Sequence, residues 1–270
     1  MDKTYTHTVT ADADIKVKFQ SLFVEGGASL ILSPDKLAIQ VKVTTADSTP
    51  VTVEGCTETT LTSGAKTVLH AKGRRVILKG KITELYCDRN QLTALNVQGL
   101  TALQELYCDS NQLTALDVQG LTALQRLWCY NNQLTELNVQ GLTALRALWC
   151  GVNRLTELNV QGCTALQELY CDRNQLTALD VQGLTALQRL GCWSNQLNAD
   201  TFKKLFDDLP VRQDSYKGEC ILYTEESGVT ESNHTDFTAP QDLKDAFDNA
   251  KTVKKWKMYK WNGSWPGVEI

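Results

Sequence analysis

A stretch of 21 residues, LQELYCDSNQLTALDVQGLTA at 103–123, recurs with few changes before and after itself, and no other feature limits the fold as sharply. Aligned on cysteine, the units start at Ile82, Leu103, Leu124, Leu145, Leu166 and Leu187, giving five full repeats and a sixth that breaks after Leu197. A period of this length predicts a solenoid, because each unit is too small to bury its apolar face alone and buries it against its neighbours. Apolar and polar letters alternate around L-x-C, as in a half-buried strand, and stacked units pair such strands as a parallel sheet.

Within a unit the letters run L-x-x-L-x-C-x-x-N-x-L-T-x-L-[DN]-V-x-G. This core resembles the leucine-rich repeat, and its 21-residue form with cysteine at that place is similar to the cysteine-ladder repeats of internalin J-like bacterial surface proteins. The wording LNVQGLTALQ and the segment FKKLFDDLP at 202–210 resemble leucine-rich-repeat proteins of treponemes. The resemblance spans residues 82 to about 210. It implies a bacterial surface or secreted protein of adhesion type that engages host or cell-surface molecules.

The flanks differ from the repeats. Residues 1–81 contain short β-prone runs, DIKVKF, SLFVEGG, LAIQVKVTT, PVTVEG and RRVILKG, separated by Gly, Pro, Asp and Ser, and read as a β-rich N-terminal domain capping the first repeat. VILKGKITELYC reads as a shortened repeat, with Gly80 where later units place Gly99 and Gly120, so the junction should be continuous. Residues 82–197 are the repeats. Beyond them Phe202, Leu205, Phe206 and Leu209 fall at helical spacing before Pro210, CILYTEE reads as a strand, and a second helix is expected from about Ala239 to Lys251. The tail WKMYKWNGSWPGVEI alternates and holds Asn262-Gly263, a hairpin signal. Residues 198–270 therefore read as a small α/β C-terminal cap covering an otherwise open sheet edge. The fold expected is an α/β repeat: a short leucine-rich-repeat solenoid with a parallel concave β-sheet between two caps.

Six of the nine cysteines, Cys87, Cys108, Cys129, Cys150, Cys171 and Cys192, share one phase of the repeat and should stack inside the coil about 4.8 Å apart. Parallel in-register strands send their Cβ bonds the same way, whereas a disulfide needs them turned toward each other. No C-x-x-C or nearby histidine completes a metal site. The expected role is that of small apolar core residues with raised pKa. Cys163 replaces the leucine of Leu100, Leu121, Leu142 and Leu184 and should also be core, while Cys56 and Cys220 have no readable partner. The asparagine column, Asn90, Asn111, Asn132, Asn153, Asn174 and Asn195, is expected to satisfy backbone groups where the chain turns out of each strand.

Alternation puts the residue between the buried Leu and Cys on the opposite face, which gives Tyr86, Tyr107, Trp128, Trp149 and Tyr170 in register, then Gly191. Glu84, Glu105, Arg126, Ala147, Glu168 and Arg189 flank this stripe on one side, and Asp88, Asp109, Tyr130, Gly151, Asp172 and Trp193 on the other. Stacking alone accounts for any one pair. A whole amphipathic stripe with a polar rim marks a binding face, and Tyr86, Tyr107, Arg126, Trp128, Tyr130, Trp149, Tyr170, Arg189 and Trp193 are its candidate contacts. Coverage of part of the stripe by one of the flanking domains or by another copy of the chain is a further arrangement. Repeat four, with Ala147, Gly151, Val152, Arg154 and Cys163, is expected to open a shallow pocket beside Trp128, Trp149 and Tyr130.

A formal net charge of −4 gives no broad basic footprint for nucleic acid, and the Lys254, Lys255, Lys257 and Lys260 cluster reads as a solvated strand face. No apolar run is long enough to span a bilayer. No nucleotide, metal or hydrolase motif occurs; His7, His70 and His234 are scattered, so no enzyme, metal or cofactor is expected. Asn233-His234-Thr235 and Asn262-Gly263-Ser264 match the glycosylation triplet. The start MDKTYTHTVT shows no signal peptide, and nine thiols suit a reducing compartment. The expectation is a non-catalytic protein-protein interaction module; the alternatives are an intracellular scaffold and a binder of a small hydrophobic or glycan ligand at a concave aromatic pocket.

Overall fold

The computed structural model describes residues 22–270; DIKVKF, Ser21 and His7 lie outside the described residues. One sheet of eleven strands carries the repeats and both flanks. Its middle is parallel: Ile82–Tyr86, Glu105–Tyr107, Arg126–Trp128, Ala147–Trp149, Glu168–Tyr170 and Arg189–Gly191 pair in sequence order. The register advances by one repeat per strand, Tyr107 opposite Trp128 and Trp128 opposite Trp149. Parallel pairing continues into Gly218–Thr224 and Trp256–Trp261, and antiparallel strands finish both ends. These are Val268–Glu269 at one end and Ala38–Thr45 with Lys66–His70 at the other. The fold is thus a β-rich repeat with two helices among the described residues, α1 (Ala199–Asp208) and α2 (Gln241–Thr252).

The N-terminal segment adds a second sheet, in which Gly27–Ile31 pairs with Arg75–Lys79 and with Ala94–Asn96 of the first repeat. The strand expected across SLFVEGG lies further on, from Gly27, after a turn closed by Gly27 N–H donating to Val24 O at 3.1 Å. The expected likeness of Gly80 to Gly99 and Gly120 does not hold. Gly120 and its counterparts in the next three repeats have φ between +76° and +80°, a turn conformation that L-residues resist. Gly99 is needed for closeness instead, since a Cβ there would lie 1.8 Å from Val24 O, and Gly80 faces only ordinary contacts.

All nine cysteines are buried free thiols. Each ladder cysteine lies just beyond its strand and extends the pairing through its backbone, as Cys108 N–H does to Trp128 O at 2.9 Å. Burial raises the Cys129 thiol to about 12 and Cys163 to about 11. The asparagines do more than close one turn. Asn111 Oδ1 accepts from Asn90 and Leu92 N–H at 3.0 and 2.9 Å, while its Nδ2 donates to the carbonyls of Cys87 and Cys108 at 3.1 and 2.9 Å. Each amide therefore ties its own repeat to the one before.

The ladder is closed at both ends by residues of the flanks. Asn90 Oδ1 accepts from Gln40 N–H at 2.9 Å, and its Nδ2 donates to Gln40 O at 2.7 Å. At the other end Asn233 acts as the next rung: its Oδ1 accepts from Leu197 N–H at 2.9 Å, and its Nδ2 donates to Cys192 O and Leu222 O at 2.9 and 2.8 Å. The glycosylation triplet at Asn233 is thereby corrected, because the amide is only 7% exposed and is committed to three backbone groups. Phe202, Leu205 and Phe206 of α1 are buried, and Asn198 Oδ1 caps the helix by accepting from Thr201 N–H at 2.9 Å. Replacing Asn132 with Ala strands Leu113 N–H and removes one of the two amide donors to each of the Cys108 and Cys129 carbonyls, whose other donors are Asn111 and Asn153, and should destabilise by about 1–3 kcal/mol in urea unfolding. Asn138→Ala, exposed at the end of the short strand Glu136–Asn138 of the same repeat, should lose less than about 1 kcal/mol.

Candidate functional site

The register of the sheet places the aromatic stripe where alternation puts it and stacks it continuously. Tyr86 and Tyr107 lie parallel at 4.2 Å, Tyr107 meets Trp128 edge-on at 4.6 Å, and Trp128 and Trp149 are parallel at 4.3 Å. Trp149 meets Tyr170 at 5.2 Å, and Tyr170 meets Trp265 of the C-terminal tail at 5.5 Å. All five stripe residues are half-buried. Two flanking positions form a polar hub, in which Glu105 accepts from the Tyr86 and Tyr107 hydroxyls at 3.1 and 3.0 Å and pairs with Arg126. The indole N–H groups of Trp128, Trp149 and Trp193 are buried with no hydrogen-bond partner.

The expected pocket lies further along the stripe than repeat four alone would place it. A cavity of about 560 Å³ is lined by Tyr130, Trp149, Gly151 and Val152, and also by Glu168, Tyr170, Asp172 and Arg189. Trp193, Trp261 and Trp265 complete it, whereas Ala147 and Trp128 do not reach it. The parallel Trp128–Trp149 stack leaves no opening between those rings, so the space falls after Trp149, where glycine interrupts the aromatic column. A Cβ on Gly191 would stand 2.6 Å from Trp193 Cζ3 and 2.7 Å from Tyr170 Cδ1. Glycine at 191 thus lets two rings close over the strand. Val152 on the rim has φ +53°, an uncommon conformation for a β-branched residue.

Trp261 and Trp265 were not foreseen as part of the site. The tail does form an antiparallel pair, Lys260 opposite Val268, but Asn262-Gly263 opens a loop of residues 262–267 rather than a two-residue turn. Asn262 Oδ1 accepts from Ser264 N–H at 3.1 Å, and the loop swings Trp265 over Tyr170. Trp193, expected at the open rim, is 6% exposed and lies under Trp261 at 4.9 Å. The tail lysines are individually engaged: Lys260 pairs with Glu225 at 2.6 Å, Lys255 with Asp214 at 3.3 Å, and Lys254 Nζ donates to Phe206 O at 3.0 Å at the end of α1.

The flank expected to be charged and open is buried at two places, Asp109 at 4% and Asp172 at 8% exposure. Asp172 faces the cavity across Gly151, where a Cβ would lie 2.6 Å from its Oδ1. Its neighbour Arg173 is turned away to Glu226, Nη2 to Oε2 3.1 Å, and Glu226 also accepts the Trp261 indole N–H at 3.1 Å. Arg189 pairs with Glu168 and lies 3.6 Å from Glu219. Burial raises Asp172 from 3.8 to about 7, the nearby Arg173 opposing only part of that. His70 lies 2.7 Å from Glu58 and far in sequence from this face, and among the described residues no cluster of His, Cys, Asp and Glu could hold a metal ion. No helix among the described residues is long and apolar enough to cross a membrane.

No protein-family model and no curated protein matches the chain. Solved structures similar to it include the leucine-rich-repeat domain of a Shigella effector, at 24% identity and a TM-score of 0.45, covering 59% of this chain and 62% of that one. Another is the functional domain of InlJ from Listeria monocytogenes, which includes a cysteine ladder, at 30% identity and a TM-score of 0.31 over 52% of this chain and 39% of that one. The chain spans less than two thirds of the length of either. Its register, inward thiols and asparagine ladder rest on its own geometry.

Because the folded chain keeps a proton on Asp172 that the unfolded chain releases, the contribution of Asp172 to stability falls as pH rises from about 4 to about 7 and stays lower above that. Asp172→Asn should therefore raise stability near pH 8 by up to about 4 kcal/mol and leave it nearly unchanged below about pH 3. Urea denaturation across this pH range measures the difference.

Proposed function

We propose that the chain is a non-catalytic protein-interaction module. In this reading residues 82–197 form a leucine-rich-repeat solenoid between a β-rich cap at 1–81 and an α/β cap at 198–270, and the concave face of its sheet binds a protein partner. The observation that carries it is the continuous aromatic column from Tyr86 to Tyr170, half-buried and open along one face, with Trp265 of the tail set against its end. Three indole donors in and beside that column have no partner, and each such buried group opposes folding by about 1–3 kcal/mol, so phenylalanine would serve a purely structural stack better. Tryptophan, tyrosine and arginine with a polar rim are the usual anchors of a protein interface.

The similarity of the repeat to internalin J-like repeats favours a bacterial surface or secreted setting and an adhesion role for this face. A scaffold inside the cell would use the same residues, and antibody access on intact cells separates the two. The cavity favours a second reading, a small ligand held by the aromatic lining, because its volume lies in the range of small-molecule sites.

Capture from extracts of candidate partner cells should fall at least about tenfold for a Tyr107→Ala, Trp128→Ala, Trp149→Ala triple variant. A Gln119→Ala, Gln140→Ala, Gln161→Ala variant, changed at exposed turns away from the stripe, should capture as the unmodified chain does. Circular dichroism establishes that each variant is folded. Equal recovery by both would remove the aromatic face from the function.

A further inference from the structure

We propose that the cavity between the last repeats and the C-terminal hairpin binds an alkylated ammonium group, free or carried on a partner's side chain, with Asp172 as its counter-ion. The proposal rests on the reading of this face as a binding surface and names what one part of it recognises. Three independent features of the cavity converge on that chemistry.

The first is ring geometry. A flat ligand needs one exposed ring face to lie on, but here neighbouring rings stand nearly at right angles: Trp149 to Tyr170 at 77° and Tyr170 to Trp265 at 73°. Trp193 and Trp261, parallel at 4.9 Å, form a further wall. Rings disposed around a space make a cage. The negative π-faces of tryptophan and tyrosine attract a cation lying within about 6 Å of a centroid.

The second is charge. The charged residues of the lining are Glu168, Asp172 and Arg189, and Arg189 is already held by Glu168 and Glu219. Asp172 is more than nine-tenths buried, lines the cavity, and has no ion-pair partner among the described residues because Arg173 is drawn to Glu226. An anion would meet an uncompensated carboxylate. A cation would supply the partner that Asp172 lacks, and desolvation that works against the lone carboxylate would favour the pair.

The third is polarity of a particular kind. The lining offers no Asn, Gln, Ser or Thr side chain to orient a hydroxyl-rich ligand. A quaternary ammonium carries no donors and is weakly hydrated, so it enters such a space without giving up hydrogen bonds of its own. The position of Trp265 fits this use: it is 48% exposed, on a loop tip, and closes the cage from outside the repeats.

The test uses the whole chain with choline, tetramethylammonium, a trimethyllysine peptide, and dimethylbutanol, in which carbon replaces the nitrogen of choline. Calorimetry and quenching of tryptophan fluorescence should show saturable binding of at least one of the cations, and binding at least about tenfold weaker for dimethylbutanol. Tighter binding of the peptide than of choline identifies a protein-borne group, and the reverse a free cation; either supports the site. Asp172→Asn and Trp265→Ala should each weaken the cation about tenfold or more. Since Asp172→Asn is expected to raise thermal stability at neutral pH, loss of binding in that variant cannot be put down to unfolding. Equal binding of choline and dimethylbutanol, no saturable binding of any cation at millimolar concentration, or saturable binding of a neutral disaccharide alone would overturn the proposal. Partner capture that still depends on Tyr107, Trp128 and Trp149 after such a failure would leave the broader reading of the face standing.

Discussion

Where the chain leaves each short strand, backbone donors and acceptors would be buried without partners, and the asparagine side chain is what satisfies them. One amide joins the carbonyls of two successive cysteines to an N–H of the preceding repeat, as Asn132 does for Cys108, Cys129 and Leu113. Every other regularity follows from this link. Because it spans two repeats, it fixes their register; because the register is fixed, the thiols stack inward and the aromatics stack outward. The flanks adopt the same device, through Gln40 at one end and Asn233 at the other, so neither end of the ladder leaves a rung unpaired.

The aromatic face is a consequence of that register and not an independent design. Strands three residues long hold their central leucine in the core and their first and third side chains, the third being the ring, on the open face, and a shift of one position would turn every ring into the core. The column stays continuous while each repeat supplies a ring. At Gly191 the ring is missing, and Trp193 and the hairpin tryptophans close in around the gap. The cavity exists because the repeat stops supplying rings one unit before the cap begins to do so.

Most of this order could be read in the letters. Period, strand alternation, inward cysteines and structural asparagines all depend on residues close in sequence or one repeat apart, where spacing translates directly into space. The helices α1 and α2 were legible for the same reason, through Phe202, Leu205, Phe206 and Leu243 at helical spacing. The site was legible only in part. Trp149, Tyr130 and Gly151 declare themselves by their column, but Trp261 and Trp265 reach the cavity through a loop whose path depends on the turn at Asn262. Asn233 looked like a surface triplet because nothing local shows that it lies 41 residues from Cys192 in sequence and beside it in space. Asp172 looked like an exposed flank because nothing local shows that it is buried and packs closely against the glycine of the preceding repeat.

The departures from local preference gather in one place. Arg89, Ser110, Asn131, Arg173 and Ser194 take the same left-handed conformation as Val152, but only at 152 does a β-branched side chain hold it, and that residue lines the cavity. Asp172 is desolvated without a partner there, and two of the three unpaired indoles, Trp149 and Trp193, belong to the same wall. Elsewhere along the ladder the repeat satisfies its buried amides and carbonyls with the economy of a structure selected for stability. Strain, a desolvated carboxyl and unpaired donors in a single cavity oppose folding, and a chain that could remove each by one substitution retains all of them. Under the proposal made for this cavity, a cation that pairs with Asp172 and fills the space between the rings would offset the desolvation of that carboxyl.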